Sequence, residues 1–397
     1  FYANFKCGKC KKIKELGQEG TLISGKRVKQ FADGRFEWDM DEYVAKMQCI
    51  DVPRGFISNT KELTDDYMAK VSTCNGQIGW LGGAGRPDVA AGHSLIAGKA
   101  RDRSVELISD CNLCVKQAKA HSVKLKIWPI KPCDLRMATM CDSSFDPQGV
   151  RHQQGWLVCC TDQRLNRGER APMSLLMWRS RKLPRKAGSP ALTETYAASY
   201  AISDGNWCKC IMMSLLYSDF DLQTGWPRCR KPPAREATVL RTDRPEVIDP
   251  FMSLMSDSKC VFDALNNELP QDDKKAAVEM PIIEELLVRC FGRGRWFPHN
   301  VNLADGLTKL KGAHIQPLMD LLHSGTYTFK SEDINLAERA AEKAEKGFTT
   351  RSKQSSRADT KALLTQLVDV FTTIGCSLAV PAPPGLAAAA PSGPAMQ

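Results

Sequence analysis

No stretch of about 20 consecutive apolar residues occurs in the 397-residue chain, so no helix is expected to span a membrane and no membrane partner is expected. The start, FYANFKCGKCKK, lacks an initiator Met, and it also lacks the basic end, apolar core and small-residue cleavage site of a secretory signal. The expectation is a fragment or processed product that is intracellular rather than secreted. The 16 cysteines follow no disulfide framework and read as reduced thiols. Two CxxC pairs, Cys7/Cys10 and Cys111/Cys114, lie too far apart along the chain to form an obvious four-ligand zinc motif, and they read as incidental. There are no internal repeats. GGAGRPD is Gly-rich but lacks the Lys-Ser/Thr ending of a nucleotide loop, and no Ser/His/Asp constellation stands out.

The composition is that of a folded protein: 43% hydrophobic, 25% charged, and long enough for two domains. It excludes collagen-like chains, wholly disordered chains and small disulfide scaffolds. Lys and Arg number 55 against 45 Asp and Glu, a net charge of +10, which favours a polyanionic partner.

Along the chain, Asp33-Gly34 reads as a hairpin turn between two short strands. Residues 62–120 read as helical, with an N-cap at Thr64 or Asp65 and a break at Gly82–Pro87. From 124 the pattern turns to strands. VKLKIWPI, RMATMCD, GWLVCCTD and PMSLLMWRS suggest an antiparallel meander. One or two helices follow over ALTETYAASYAISDGNWCKCIMMSLLYSDF, and then come the short buried strand PFMSLMSD and the helical KCVFDALNNEL. The amphipathic helix AAVEMPIIEELLVRCF precedes the strand RGRWFPH and the helix HIQPLMDLLHSG. Beyond 330, SEDINLAERAAEKAEKG reads as a polar helix and KALLTQLVDVFTTIG as an amphipathic one. Residues 380–397 are Ala/Pro-rich and are expected to be disordered.

Four acids stand at strand ends or helix starts: Asp142, Glu194, Asp257 and Asp305. Long stretches of chain separate them, which excludes a linear metal motif and suits a site assembled across one domain. Carboxylates converging in one cleft repel one another unless a cation neutralises them, and Mg²⁺, a hard oxygen-seeking ion, fits that role. Taken singly, an acid at such a place is most often a turn or cap residue, and Glu194 alone reads as the solvated face of its helix. Only their order gives them weight.

That order resembles the C-terminal part of a copia-type retrotransposon Pol polyprotein, the end of the reverse transcriptase followed by its RNase H domain. GKRVKQFADGRFEWDMDEYVAKM is similar to the last palm segment. ELTDDYMAKVSTCNGQIGWLGGAGRPDVAAGHSLIAG is similar to the segment after it. MCDSSFD resembles the first RNase H strand, MWRSRKLPRKAGSPALTETYAASYA the strand, turn and helix that supply the glutamate, and LMSDSKCVFDAL the element that supplies the second aspartate. RWFPHNVNLADGLTKL matches the closing signature at Trp296, Pro298, Ala304, Asp305, Leu307, Thr308 and Lys309. The sequence departs from the family in having Phe145 where a Trp is usual. It also lacks the polymerase aspartate pair, since Asp65-Asp66 lies in the later helical segment, so polymerase activity is not expected.

The resemblance implies an α/β fold, an RNase H-like mixed five-stranded sheet with flanking helices, over 124–325. A reverse transcriptase remnant would occupy 1–123 and a helical, then Ala/Pro-rich, tail 326–397. It implies Mg²⁺-dependent endonucleolytic hydrolysis of the RNA strand of RNA/DNA hybrids, leaving a 5′-phosphate and a 3′-hydroxyl. Asp142, Glu194, Asp257 and Asp305 would be both catalytic and metal-holding, around two ions for which Mn²⁺ can substitute. Within the basic stretch 164–186, Arg179, Arg181, Lys182, Arg185 and Lys186 are candidates for the hybrid backbone, as is Lys309. His299, six residues before Asp305, is a candidate for assisting turnover. The remaining partner would be the rest of the Pol polyprotein, and the oligomeric state is left open. The alternative is an inactive transposon remnant that only binds nucleic acid.

Overall fold

The computed structural model describes residues 19–59, 61–146, 152–221, 223–228, 251–267 and 273–345. Cys7, Cys10, the helix expected over KALLTQLVDVFTTIG and the segment 380–397 lie outside them. The chain divides into two units, residues 1–337 and 338–397. Of the second, the described part is the end of one helix.

The N-terminal part opens with strands β1 (Thr21–Ile23), β2 (Lys26–Gln30) and β3 (Phe36–Asp39), joined as an antiparallel meander. Gly34 takes the left-handed conformation (φ 86°) that closes the β2–β3 turn expected at Asp33-Gly34. Two short helices follow, α1 (Asp41–Lys46) and α2 (Phe56–Asn59), and then three longer ones, α3 (Asp65–Ala84), α4 (Ala90–Lys99) and α5 (Glu106–Ala120). Their shared core includes Val71, Cys74, Ile78, Leu81, Ile96, Leu107, Cys111 and Cys114. Cys111 and Cys114 are thus free thiols in a helix core. At the α3–α4 break Arg86 and Asp88 form a buried two-pronged ion pair at 2.8 Å, and Arg86 also donates to the carbonyl of Ala118 at 2.9 Å.

Strand β4 (Leu125–Ile127) corrects the meander read from the sequence. It pairs antiparallel with β3 and completes the N-terminal sheet in the order β1-β2-β3-β4. Its alternation is genuine, but alternation along a strand does not specify which edge it joins.

The main sheet is built from β5 (Leu135–Ser144), β6 (Gln153–Asp162) and β8 (Ser174–Lys182), with the three-residue β7 (Arg170–Pro172) between the last two. Every residue of β6 is buried, as expected for a strand covered on both faces. Helix α6 (Pro190–Leu216) is one continuous element, capped where the Ser189 side chain accepts from Leu192 N–H, with Pro190 in its first turn. The two-residue strands β9 (Phe220–Asp221) and β10 (Trp226–Pro227) pair with each other. Strand β11 (Met252–Ser256), helices α7 (Lys259–Asn267) and α8 (Lys274–Arg289), and strand β12 (Gly292–Trp296) follow. Helix α9 (Gln316–Ser324) ends at left-handed Gly325. Strand β13 (Thr326–Thr328) pairs with β7, and α10 (Glu332–Glu345) closes the described chain.

The sheet order is β12-β11-β5-β6-β8. β6 runs antiparallel to both β5 and β8, whereas β11 lies parallel to both β5 and β12. This is the mixed five-stranded α/β sheet with flanking helices expected from the sequence. On one face, Met137, Cys141, Trp156 and Val158 pack against Ala197, Ala198, Ala201 and Ile202 of α6. The approach is close at Gly205, where a Cβ would stand 2.7 Å from Thr139 Oγ1. The opposite face buries Ala138, Met140, Leu157 and Met255 under Leu303, Leu307 and Leu318. Among the described residues no helix is long and apolar enough to cross a membrane.

Candidate metal centre

The parallel pairing of β5 with β11 sets Cys141 opposite Ser256. The residues that follow this pair, Asp142 and Asp257, therefore emerge at the same end of the two strands. The carboxyl ends of adjacent parallel strands are where α/β sheets habitually hold ligands. Asp305 reaches that edge from a 3-10 turn, Leu303–Leu307, seated by Asn302. The Asn302 side chain caps the turn by accepting from Ala304 N–H at 2.9 Å and donates to the Cys141 carbonyl at 3.3 Å. Gly155 lets the turn lie flat on β6, since a Cβ there would stand 2.6 Å from Leu307 Cβ.

Ligand oxygens of Asp142, Asp257 and Asp305 lie within 4.8 Å of one another, the single such group of acids, histidines or cysteines among the described residues. Glu194, in the first turns of α6, approaches through β5. Its Oε1 accepts from the Ser143 hydroxyl at 2.7 Å and from Ser143 N–H at 3.3 Å, while its Oε2 is buried and accepts no hydrogen bond. The structure thus gathers three of the four acids read from the sequence into one cluster and holds the fourth on the residue after Asp142.

Burial raises the Asp142 carboxyl well above the ordinary carboxylate range, and the charges of Glu194, Asp305 and Asp257 raise it further. Burial, with Asp257 beside it, pushes Glu194 up to about 8, against the hydrogen bonds from Ser143. Asp257 is raised by burial, and a hydrogen bond from Asn302 opposes the rise. Lys309 answers this negative charge. Its Nζ lies 2.6 Å from Asp305 Oδ1 and 4.0 Å from Asp142 Oδ2. Burial works against the ammonium, but Asp142 and Asp305 outweigh it and hold its pKa above the ordinary value.

Three carboxylates within reach of one point, together with a buried carboxylate oxygen lacking any partner, form a hard-oxygen donor set. That set fits Mg²⁺ or Mn²⁺ and offers no soft ligand. Asp142, Asp257 and Asp305, with Glu194 beside them, would hold the ions.

Sequence reasoning missed three residues around this cluster. The Thr308 hydroxyl donates to Asp142 Oδ2, Asn302 seats the turn, and His314 Nδ1 stands 3.3 Å from Asp305 Oδ2. Thr308 and Asn302 flank Asp305 closely enough to have been candidates, whereas His314 comes in from beyond a turn that gave no signal. His299 lies in a separate 3-10 turn, and the histidine that meets a carboxylate of the cluster is His314, itself exposed. The candidate cations sit at the neighbouring sheet edge. The register Lys182–Gln153–Ser144 and Arg179–Trp156–Cys141 places the end of β8 across β6 from the end of β5 that carries Asp142, with Arg179 and Arg181 on the α6 face of the sheet and Asp142 on the face that meets Thr308. Arg179, Arg181, Lys182, Arg185 and Lys186 are all exposed. Arg181 lies over the rings of Tyr200 and Trp156, at 4.3 and 4.9 Å from their centroids. Arg185 is already engaged by buried Glu279. Of the earlier arginines in the stretch, Arg164 is held by Asp162 and Arg170 by Thr326.

No known family model matches the chain, and no curated protein matches it. Solved structures similar to part of it include RNase H1 from the halophilic archaeon Halobacterium salinarum. The identity there is 13%, over 43% of this chain and 90% of that one, with a TM-score of 0.27. The N-terminal RNase H domain of a Mycobacterium tuberculosis protein, solved as a fusion with maltose-binding protein, is similar at 11% identity. That match covers 44% of this chain and 90% of that one, with a TM-score of 0.28.

Proposed function

We propose that this chain is a ribonuclease H: it hydrolyses the RNA strand of RNA/DNA hybrids with Mg²⁺ or Mn²⁺, as the C-terminal part of a copia-type Pol polyprotein. The observation that carries the reading is the meeting of Asp142, Asp257 and Asp305 within 4.8 Å at the ends of adjacent parallel strands. In this reading residues 1–123 derive from the reverse transcriptase, the nuclease occupies 124–325, and 326–397 form its tail.

Bound divalent ions would supply an activated water and neutralise the charge that builds on the phosphodiester. The protein's own contribution is orientation and charge. Asp142 and Asp257 are fixed by the strand ladder, Asp305 by the capped turn, and Glu194 by Ser143. Lys309, one-third exposed, can face both the carboxylates and a phosphate held over them. Arg179, Arg181, Lys182 and Lys186 would track phosphates of the hybrid. Their affinity would fall with salt, since phosphate contacts displace condensed counterions. Arg181, stacked on two rings, is the best preorganised of them.

The test is cleavage of a labelled RNA/DNA hybrid with added Mg²⁺ or Mn²⁺. Asp142→Asn and Asp257→Asn are each expected to lower the rate at least about a hundredfold, the scale of losing a group that acts on transition-state charge, while hybrid binding persists. Full activity in both variants refutes the site. Binding without cleavage by the unaltered chain at any metal concentration selects the inactive, binding-only remnant instead. Equal cutting of double-stranded DNA would point to a different nuclease.

A further inference from the structure

The loop after Asp305 is gripped from outside the sheet. Lys309 reaches Asp305 at 2.6 Å, but its two successors turn toward the N-terminal helices. Leu310 packs against their core at a gap left by Gly92 of α4. A Cβ on Gly92 would stand 2.2 Å from Cys114 Sγ and 3.3 Å from Leu310 Cδ1. Lys311 Nζ lies 3.2 Å from Oδ1 of Asp110 in α5, a carboxylate buried in the same helices whose other oxygen faces Lys99 at 3.5 Å. These helices are fastened to the sheet by further bonds. Trp178 Nε1 of β8 donates to the Gly82 carbonyl at 2.6 Å, and the Gln153 amide donates to Ser94 of α4 at 2.9 Å and to Ser180 of β8 at 2.8 Å.

We propose that α4 and α5 are a positioning platform for the carboxylate centre: by holding Leu310 and Lys311 they set the Lys309 ammonium against Asp305 and Asp142, where it competes with divalent cations. The inference rests on the reading of the carboxylates as a metal site. A lysine on a free loop spreads over many rotamers and prefers water. Fixing the two residues after it removes much of the backbone freedom that would let it leave. An ammonium already among the carboxylates relieves part of their repulsion, and that part is no longer available to an incoming metal ion. Leu310 and Lys311 are thus positioning residues that act through Lys309.

The test is Mn²⁺ binding to the full chain, followed by electron paramagnetic resonance, for the unaltered protein, Lys309→Met, Leu310→Ala and the double variant. Lys309→Met is expected to tighten Mn²⁺ binding about tenfold, the scale of one nearby charge at a partly solvated site. Leu310→Ala is expected to shift it in the same direction by a smaller factor, and to add nothing once Lys309 is gone. Lys311→Met, on an exposed side chain, should repeat the Leu310→Ala shift without touching the core, and it serves if Leu310→Ala fails to fold. An unchanged affinity in the Leu310 and Lys311 variants, or an equal shift with and without Lys309, overturns the platform. Hybrid cleavage on the same samples keeps the two ideas apart. Mn²⁺ binding without cleavage removes the nuclease reading and leaves the platform to be judged by the binding shifts, whereas no Mn²⁺ binding by any variant removes both.

Discussion

Glu194 carries an unusual load for one side chain. One oxygen is saturated by Ser143 and the other is buried with no partner. With a pKa pushed up to about 8, the folded chain without metal holds a proton there that the unfolded chain releases near 4.5. Over that interval the folded state binds more protons than the unfolded one. The stability contributed is therefore fully present below about 4.5 and is lost as pH rises toward 8. Asp142 and Asp257, raised in the same direction, add to the effect. A divalent ion favours the charged carboxylates and reverses the loss. Saturating Mg²⁺ should therefore raise the melting temperature more at a pH just above 8 than at pH 6, as read by scanning calorimetry. A gain that does not grow with pH would contradict this account.

A second residue-scale outcome concerns Arg86 and Asp88, whose side chains are about 1% and less exposed and satisfy each other with two bonds. Truncating either one strands a buried charge. Asp88→Ala should cost about 3–5 kcal/mol in denaturant unfolding, far more than the loss of an exposed pair such as Lys70–Asp66. The sequence displayed these residues only as part of a motif. Their role depends on the Ala118 carbonyl, which lies far along the chain and left no trace in local spacing.

At the scale of elements, the 3-10 turn bearing Asp305 depends on the flatness of its seat. Gly155→Ala would drive a methyl into Leu307 Cβ and to 3.0 Å from Thr308 Cγ2. The turn should lift, Thr308 should lose its bond to Asp142, and both Mn²⁺ affinity and hybrid cleavage should fall about tenfold or more, with the secondary structure seen by circular dichroism retained. Unchanged affinity and rate would show that the turn is seated some other way. The elements themselves were largely readable in advance. Apolar runs bounded by polar turns marked β5, β6, β8 and β11, the stretch ALTETYAASYAISDGNWCKC marked α6, and Asp33-Gly34 announced a turn. The four acids stood out because strand ends and helix starts can be recognised from local pattern. What local pattern did not reveal was partnership. β4 looked like a member of the meander and joins β3 instead, and His314 reaches Asp305 across a turn that carries no periodic signal.

At the scale of the whole molecule, the four-stranded and five-stranded sheets of the first unit meet where Trp128 N–H, just past β4, donates to Ser174 of β8, and the unit's last residues return to the main sheet. Arg295 of β12 meets Glu332 through two bonds at 2.8 and 2.9 Å, with its guanidinium over the Phe329 ring. Burial opposes the Glu332 charge, but Arg295 holds its pKa below the ordinary value. This stabilisation is present above the usual carboxylate range and fades as pH falls through the lowered pKa. Glu332→Ala should destabilise the chain by about 3–5 kcal/mol at neutral pH, and by clearly less in acid, when unfolding is followed in denaturant. Equal costs at both pH values would mean that the pair matters for packing alone. The sequence marks α10 as a polar helix, yet its first turn delivers a buried charge, Glu332.

Asp142 and Asp257 each follow the last rung of the β5–β11 ladder, Cys141 opposite Ser256, and neighbouring strands repeat at about 4.8 Å in every sheet. The backbone spacing beneath these two acids is therefore set by the sheet rather than by the side chains of the core. Any adjustment toward a larger or smaller ion falls to Asp305 and Glu194, which stand on helical elements rather than on the sheet. A chain whose descendants drift toward a different metal should record the change around those two residues and leave the ladder untouched.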